Sequence, residues 1–410
     1  MLAALAAGLA AWAASSDLPA PVEAVCGELA AGSFERTRCV EQYYAVRVTH
    51  DRTAALDEIQ LRWLANDDYV GSWCHEVLHA AGIAARQRVG DTPDRLFDQA
   101  ALFCAGGYAH GFVDSRGGQE DQPADRQDLI DYRDACVAVT EPGSRSFHED
   151  CAHGTGHLVV ETLDHQDGAD RWLADGRAVC NELFADASSW CLQGVLMDWA
   201  SWHRDTYAAG AIPTSGGEPI VEIDQLCDQL DGADRTGCLR ILGDLNAFFN
   251  GDADTAHGWG PCPGFGACPT VQPATLAQRC AAMEDDADQL ACAAGVGHDR
   301  TLQYGVTDPD VICPGTGSQR HELACQQAAQ LPLSTPVVLR DCVDDDPLCA
   351  QVQAELRSRL READRQRQRA GLGSLAELTD NCAATLPVPA AVCAQAAAVT
   401  NELAASRPAG

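Results

Sequence analysis

Two pairs of histidines, each with its members four residues apart, carry most of the chemistry in this sequence. His75 and His79 flank Glu76 in Cys74-His75-Glu76-Val77-Leu78-His79, and His153 and His157 bracket Gly-Thr-Gly. On a helix this spacing puts both imidazoles on one face, where they can bind one metal ion while a neighbouring glutamate takes a proton from water. Two imidazoles do not complete a tight site, so a further ligand must come from another helix, and His110 lies between the pairs. His75, His79, His110, His153 and His157 are therefore the candidate metal ligands, with Glu76 the candidate catalytic residue. Met197, Glu161 and His298 are possible additional ligands, and Asp114 and Glu149 are further carboxylates within reach of the same stretch. The competing reading is packing, with buried histidines satisfying backbone carbonyls.

Imidazole ligation suits zinc, copper, iron or nickel, which makes a divalent transition metal the expected cofactor. Zinc leads because Glu76 stands beside the first pair; copper, with Met197 as a soft ligand, comes next. His75 to Gly82 reads HExxHxxG and resembles the zincin metallopeptidases over those residues. The resemblance implies that His75 and His79 ligate zinc, that Glu76 is the general base, and that a third ligand comes from downstream. Ala85 stands where the longer metzincin form of the motif has its third histidine.

The elements that must position these residues repeat. Cys104-Ala-Gly-Gly-Tyr-Ala-His110, Cys151-Ala-His-Gly-Thr-Gly-His157, Cys191-Leu-Gln-Gly-Val-Leu-Met197 and Cys292-Ala-Ala-Gly-Val-Gly-His298 all fit C-x-x-G-x-x-(H/M). In this reading the cysteine ties a helix start to its neighbour. The glycine, which costs about 1 kcal/mol of helix propensity, lets another helix approach, and the last position presents a donor. Equivalent positions in a repeat fall on equivalent faces, so donors from both histidine pairs are expected to serve one site.

The 20 cysteines form sequential couples. They are Cys26 with Cys39, Cys74 with Cys104, Cys136 with Cys151, Cys180 with Cys191, Cys227 with Cys238, Cys262 with Cys268, Cys280 with Cys292, Cys313 with Cys325, Cys342 with Cys349 and Cys382 with Cys393. An even count without CxxC spacing favours disulfides over zinc ribbons. Leu56, Ile59 and Trp63, and again Leu129, Tyr132, Cys136 and Val139, recur at helical spacing. Thr92 before Pro93 reads as a helix start, and Arg357 to Arg369, interleaved with Glu362 and Asp364, reads as a solvated, internally paired helix face. The expected fold is all-α: disulfide-stapled helical hairpins in an irregular repeat array or toroid.

Aromatics make up only 6% of the chain, which suits helices better than sandwiches or barrels. Its basic residues are all Arg, and a net charge of −32 argues against binding nucleic acid or anionic lipid. Residues 1–14 are apolar and uncharged and read as a signal peptide, and no other stretch reaches transmembrane length. The expected organisation is a His-rich helical domain over 15–205 and a helical hairpin domain with Gly/Pro loops over 206–410. GxSxG, P-loop and dinucleotide-binding motifs are absent. The expected protein is secreted or held in the cell envelope and binds metal, with zinc-dependent hydrolysis possible. A non-catalytic binding scaffold and a copper or zinc capture protein are the alternatives.

Overall fold

The computed structural model describes residues 20–30, 34–89, 103–104, 106–114, 124–139, 145–163, 168–207, 214–215, 224–241, 273–304, 313–330 and 347–405. The signal segment, the Thr92 helix start, the couple of Cys262 with Cys268 and the couple of Cys342 with Cys349 lie outside the residues or side chains described. The described residues are helical, with no strand among them, as the composition leads one to expect. In chain order the helices are α1 (Val22–Cys26), α2 (Phe34–His50), α3 (Arg52–Leu64), α4 (Cys74–Ala84), α5 (Gly107–Asp114), α6 (Arg126–Val139), α7 (Arg145–Val160), α8 (Ala169–Leu183) and α9 (Ser188–Tyr207). They continue with α10 (Asp224–Cys227), α11 (Gly232–Arg240), α12 (Pro273–Ala282), α13 (Asp286–Tyr304), α14 (Gln319–Gln330), α15 (Pro347–Arg369), α16 (Leu375–Thr385) and α17 (Ala390–Ala405). None is long and apolar enough to cross a membrane.

The chain forms two compact units: residues 1–115, 141–144 and 333–410 make unit 1, and 116–140 and 145–332 make unit 2. These differ from a division at residue 205, because α16 and α17 pack on α3. Arg367 of α15 also bonds Asp57 (2.5 Å) and Gln60 (3.1 Å) of α3. The Arg-rich helix pairs internally, Arg365 with Glu362 and Arg357 with Gln353, as its charge pattern suggests. It is not solvated all round, however: Glu362, Asp364, Gln366 and Arg367 are buried.

In unit 1, Asp51 caps α3 by accepting from Ala54 N–H (3.0 Å), and Leu56, Ile59 and Trp63 point inwards as their spacing predicts. Arg62, fully buried, is held by Glu58, Asp67 and Glu23, so the core beneath the helices is partly ionic. Ser374 and Glu377 form a capping box that starts α16. Among the described residues two further staples tie this unit beside the one at the histidines: Cys26 of α1 is bonded to Cys39 of α2, and Cys382 of α16 to Cys393 of α17.

Unit 2 is the more regular. Each of α7, α9, α11, α13 and α14 carries the second cysteine of a couple, and these five helices pack one on the next in chain order. The segment before each is stapled to it; Cys227 of α10, for example, is bonded to Cys238 of α11. All eight couples within the described residues are disulfides, with Cα–Cα separations of 5.4 to 5.9 Å. The second cysteines sit near helix starts, as the repeat suggests, only in part: Cys104 just precedes α5 and Cys191 lies in the first turn of α9. Cys39, Cys151, Cys292 and Cys325 fall well inside α2, α7, α13 and α14, and Cys238 lies close to the end of α11. Of the eight described bridges six clamp helix to helix, whereas Cys104 and Cys313 lie in the segments before α5 and α14; Cys191 and Cys393 each fall in the first turn of their helix, near the expected position.

Candidate metal centre

Unit 1 brings His75, His79 and His110 together on α4 and α5. The bridge from Cys74 to Cys104 joins the start of α4 to the segment leading into α5. Glycines then let the two backbones touch: a Cβ added at Gly107 would overlap the His75 carbonyl, one at Gly111 the His79 carbonyl, and one at Gly82 the Tyr108 carbonyl. The matched four-residue steps, 75 to 107 and 79 to 111, set the helices in parallel register. His110 is thereby placed edge-on to His75, with ring centres 5.1 Å apart, while His75 and His79 are 6.4 Å apart. All three are buried. The His75 Nδ1–H donates to the Cys104 carbonyl (3.0 Å), which fixes the ring and leaves the lone pair on Nε2.

Glu76 lies beside this set and is fully buried. Neither of its carboxylate oxygens has a hydrogen-bond partner beyond its own backbone amide. Burial pushes its pKa up to about 8, the backbone contact opposes this, and the Glu41 carboxylate adds a further upward push. Glu41 is buried on α2, which packs on α4, and pairs with Arg38 at 2.7 Å. Burial raises the Glu41 pKa, while Arg38 and, more weakly, His79 pull it down. Two low-dielectric carboxyls therefore border the unit 1 histidines, and only Glu76 is legible in the motif.

Unit 2 holds the second pair on α7. His153 and His157 stand with ring centres 5.0 Å apart, and they belong to a histidine group able to hold a metal ion, with ligand atoms within 4.8 Å of one another. The crossing with α9 is made by Gly156 and Gly194: a Cβ on the first would overlap the Cys191 carbonyl and one on the second the His153 carbonyl. The tight packing expected at the HGTGH glycines is thus found at Gly156. On α9, Asp198 Oδ1 lies 3.4 Å from His157 Nδ1.

The remaining sequence candidates fall as follows. Met197 is buried on α9, next to Asp198. Glu161 accepts from the Ala124 amide (3.0 Å), so its carboxylate serves the chain entering α6. The side chains of His298 and Asp114 lie outside those described. Glu41 and Asp198 are the site-bordering residues that sequence reasoning missed. Asp198 had a faint signal, since it directly follows Met197 in the repeat; Glu41 had none.

These features define a helical, disulfide-stapled protein with a histidine cluster that could hold a metal ion. No protein-family model, curated protein or solved structure matches the chain.

Proposed function

We propose that the chain is an exported metal-binding protein whose ligands are His75, His79 and His110 in unit 1 and His153 and His157 in unit 2. The observation that carries this is the close placing of the imidazoles: ring centres lie 5.1 and 6.4 Å from His75 in unit 1 and 5.0 Å apart in unit 2, where the pair belongs to a histidine group able to hold a metal ion. In unit 1 the His75 Nδ1–H also donates to the Cys104 carbonyl, the way a metal-ligating histidine is commonly oriented. Eight disulfides are what an oxidising compartment preserves and a reducing cytosol does not. Neutral imidazoles favour zinc, copper, iron or nickel, and the bordering carboxyls Glu76 and Glu41 favour a dication, with zinc first.

The test is elemental analysis of full-length protein purified without a polyhistidine tag. His79→Ala and His157→Ala are each expected to lower bound metal substantially. His148→Ala removes a partly exposed ring whose partner is Asp186 at 3.0 Å, and it should leave metal unchanged. Equal metal in all three variants, or none in the parent, overturns the reading in favour of packing histidines. The ion-to-chain ratio in the two single variants gives the number of ions lost with each pair.

A second reading, zinc-dependent hydrolysis, is favoured by the buried, unpartnered carboxyl of Glu76 between His75 and His79. When bound, the metal would supply a positive charge that polarises a substrate carbonyl and holds Glu76 ionised. Glu76 would then accept a proton at its carboxylate. A screen of peptide and ester substrates tests this: Glu76→Gln should keep metal and fold while losing turnover.

A further inference from the structure

Cys104 does two things at the unit 1 histidines. Its sulfur is bonded to Cys74, the first residue of α4 and the neighbour of His75, while its carbonyl accepts from the His75 Nδ1–H (3.0 Å) and the Gly107 amide (3.3 Å). One residue therefore ties the entry of α5 to α4 and also orients an imidazole. It does so at a φ of 55°, in the left-handed region that, among the described residues, only Asn66 shares without being glycine. A side chain with a Cβ stays there only when its surroundings hold it. The setting of this bridge is also unlike that of most others. In six of the eight described bridges both cysteines belong to helices, so freeing either one means unravelling a helix, whereas Cys104 lies in a turn. Cys313 lies outside a helix too, but its carbonyl accepts from Thr316 and from no histidine.

We propose that the bridge between Cys74 and Cys104 is a redox latch on the unit 1 histidines: reduction by a dithiol frees Cys104, whose carbonyl gives up the His75 Nδ1–H and whose release loosens α5, with His110, from α4. The exchange is a two-electron step. A reductant thiolate attacks one sulfur and breaks the S–S bond, its second thiol resolves the mixed disulfide, and Cys74 and Cys104 end as protonated thiols while the reductant ends as a disulfide. Both cysteines are buried, 1% and 6% exposed, so attack follows local opening, which a strained turn undergoes more readily than a helix. Without the carbonyl, nothing at Nδ1 fixes the His75 tautomer, and losing such an orienting partner characteristically weakens metal binding 10- to 100-fold. The effect on metal rests on the metal-binding reading; the release of His75 does not.

The experiment treats the full oxidised chain with limiting dithiothreitol, quenches by alkylation and maps the labelled cysteines by mass spectrometry. In parallel, ¹⁵N NMR reads the His75 tautomer and chelator competition reads Zn(II) affinity. Cys74 and Cys104 should be labelled ahead of the six helix-to-helix bridges, the His75 tautomers should mix, Zn(II) affinity should fall by about 10- to 100-fold, and reoxidation should restore all three. The double variant Cys74→Ser with Cys104→Ser should match the reduced parent and ignore the dithiol, while Cys180→Ala with Cys191→Ala should keep the response. Labelling of Cys74 and Cys104 together with or after the helix-to-helix bridges overturns the latch. So does early labelling with tautomer and Zn(II) affinity unchanged, in which case the bridge is structural only and the metal-binding reading stands. A rise in Zn(II) affinity on reduction overturns it as well, since the freed thiolates would then be ligands. If the oxidised parent binds no Zn(II), the metal-binding reading fails, and labelling order with the tautomer decides the latch. Should the serine variant not fold, the titration of the unmodified chain decides.

Discussion

The α4–α5 clasp of unit 1 and the α7–α9 clasp of unit 2 use one construction for two electrostatic environments. Both bring a helical histidine pair against a second helix through glycines that would collide with backbone if they carried a Cβ, and both are anchored by disulfides. In unit 1 the oxygen facing Nδ1 is a neutral carbonyl, and the charge that matters is the buried Glu76. In unit 2 the carboxylate near the pair is that of Asp198, partly exposed, with Oδ1 3.4 Å from His157 Nδ1. The comparison teaches that the glycine clasp fixes where imidazoles stand, while the carboxyl beside them differs: buried on the histidine helix itself in unit 1, partly exposed on the crossing helix in unit 2.

The largest expected effects come from breaking the clasps. Gly111→Ala and Gly156→Ala each place a methyl group on a neighbouring helix's carbonyl, His79 and Cys191 respectively, and neither backbone is free to move. Alanine would otherwise gain about 1 kcal/mol of helix propensity, so the sign of the change is informative. We expect both to destabilise by roughly 3 kcal/mol or more, measured by denaturant unfolding. A stabilised Gly156→Ala would mean that the unit 2 clasp is looser than that of unit 1. Next in size are the staples. Replacing Cys180 and Cys191 with alanine frees a loop closed across a sequence separation of 11, and should cost about 2 to 3 kcal/mol. Losing the bridge from Cys74 to Cys104, with a separation of 30, should cost slightly more and should also lower metal content, because it releases the segment whose carbonyl orients His75.

Much of this was legible in the sequence because it is local. Four-residue histidine spacing, the glycine three residues after a cysteine and the pairing of successive cysteines all survive translation into structure. Gly107, Gly194 and Gly295 each meet a carbonyl of a neighbouring helix. What was not legible is tertiary. Asp198 is 41 residues beyond His157 and Glu41 is 38 before His79; their relevance appears only once α9 crosses α7 and α2 packs on α4. The grouping of residues 333–410 with the N-terminal part is of the same kind, since it depends on α16 and α17 finding α3. Cysteine spacing alone fixes which residues pair but not where a helix begins. α7, α13 and α14 start well before Cys151, Cys292 and Cys325, so their bridges clamp mid-helix where a helix-turn-helix hairpin would put them at the turn.

The last effect, which depends on pH, bears on the charge that separates the two clasps. Glu76 has its pKa raised from 4.5 to about 8 by burial. In metal-free protein, therefore, the folded state holds this proton over a pH range in which the unfolded state has released it. Stability falls with rising pH wherever the native state binds more protons, so the loss begins above about 4.5 and is complete above about 8. Glu76→Gln removes the titration while keeping size and shape. The two metal-free proteins should be similarly stable near pH 4, and the variant should gain on the parent up to about pH 8, by roughly a few kcal/mol at most. Added zinc should reverse the order if it binds beside His75 and His79, because a dication stabilises the carboxylate and not the amide. Parallel pH profiles for the parent and Glu76→Gln would mean that Glu76 reaches water, and that the two clasps are electrostatically alike after all.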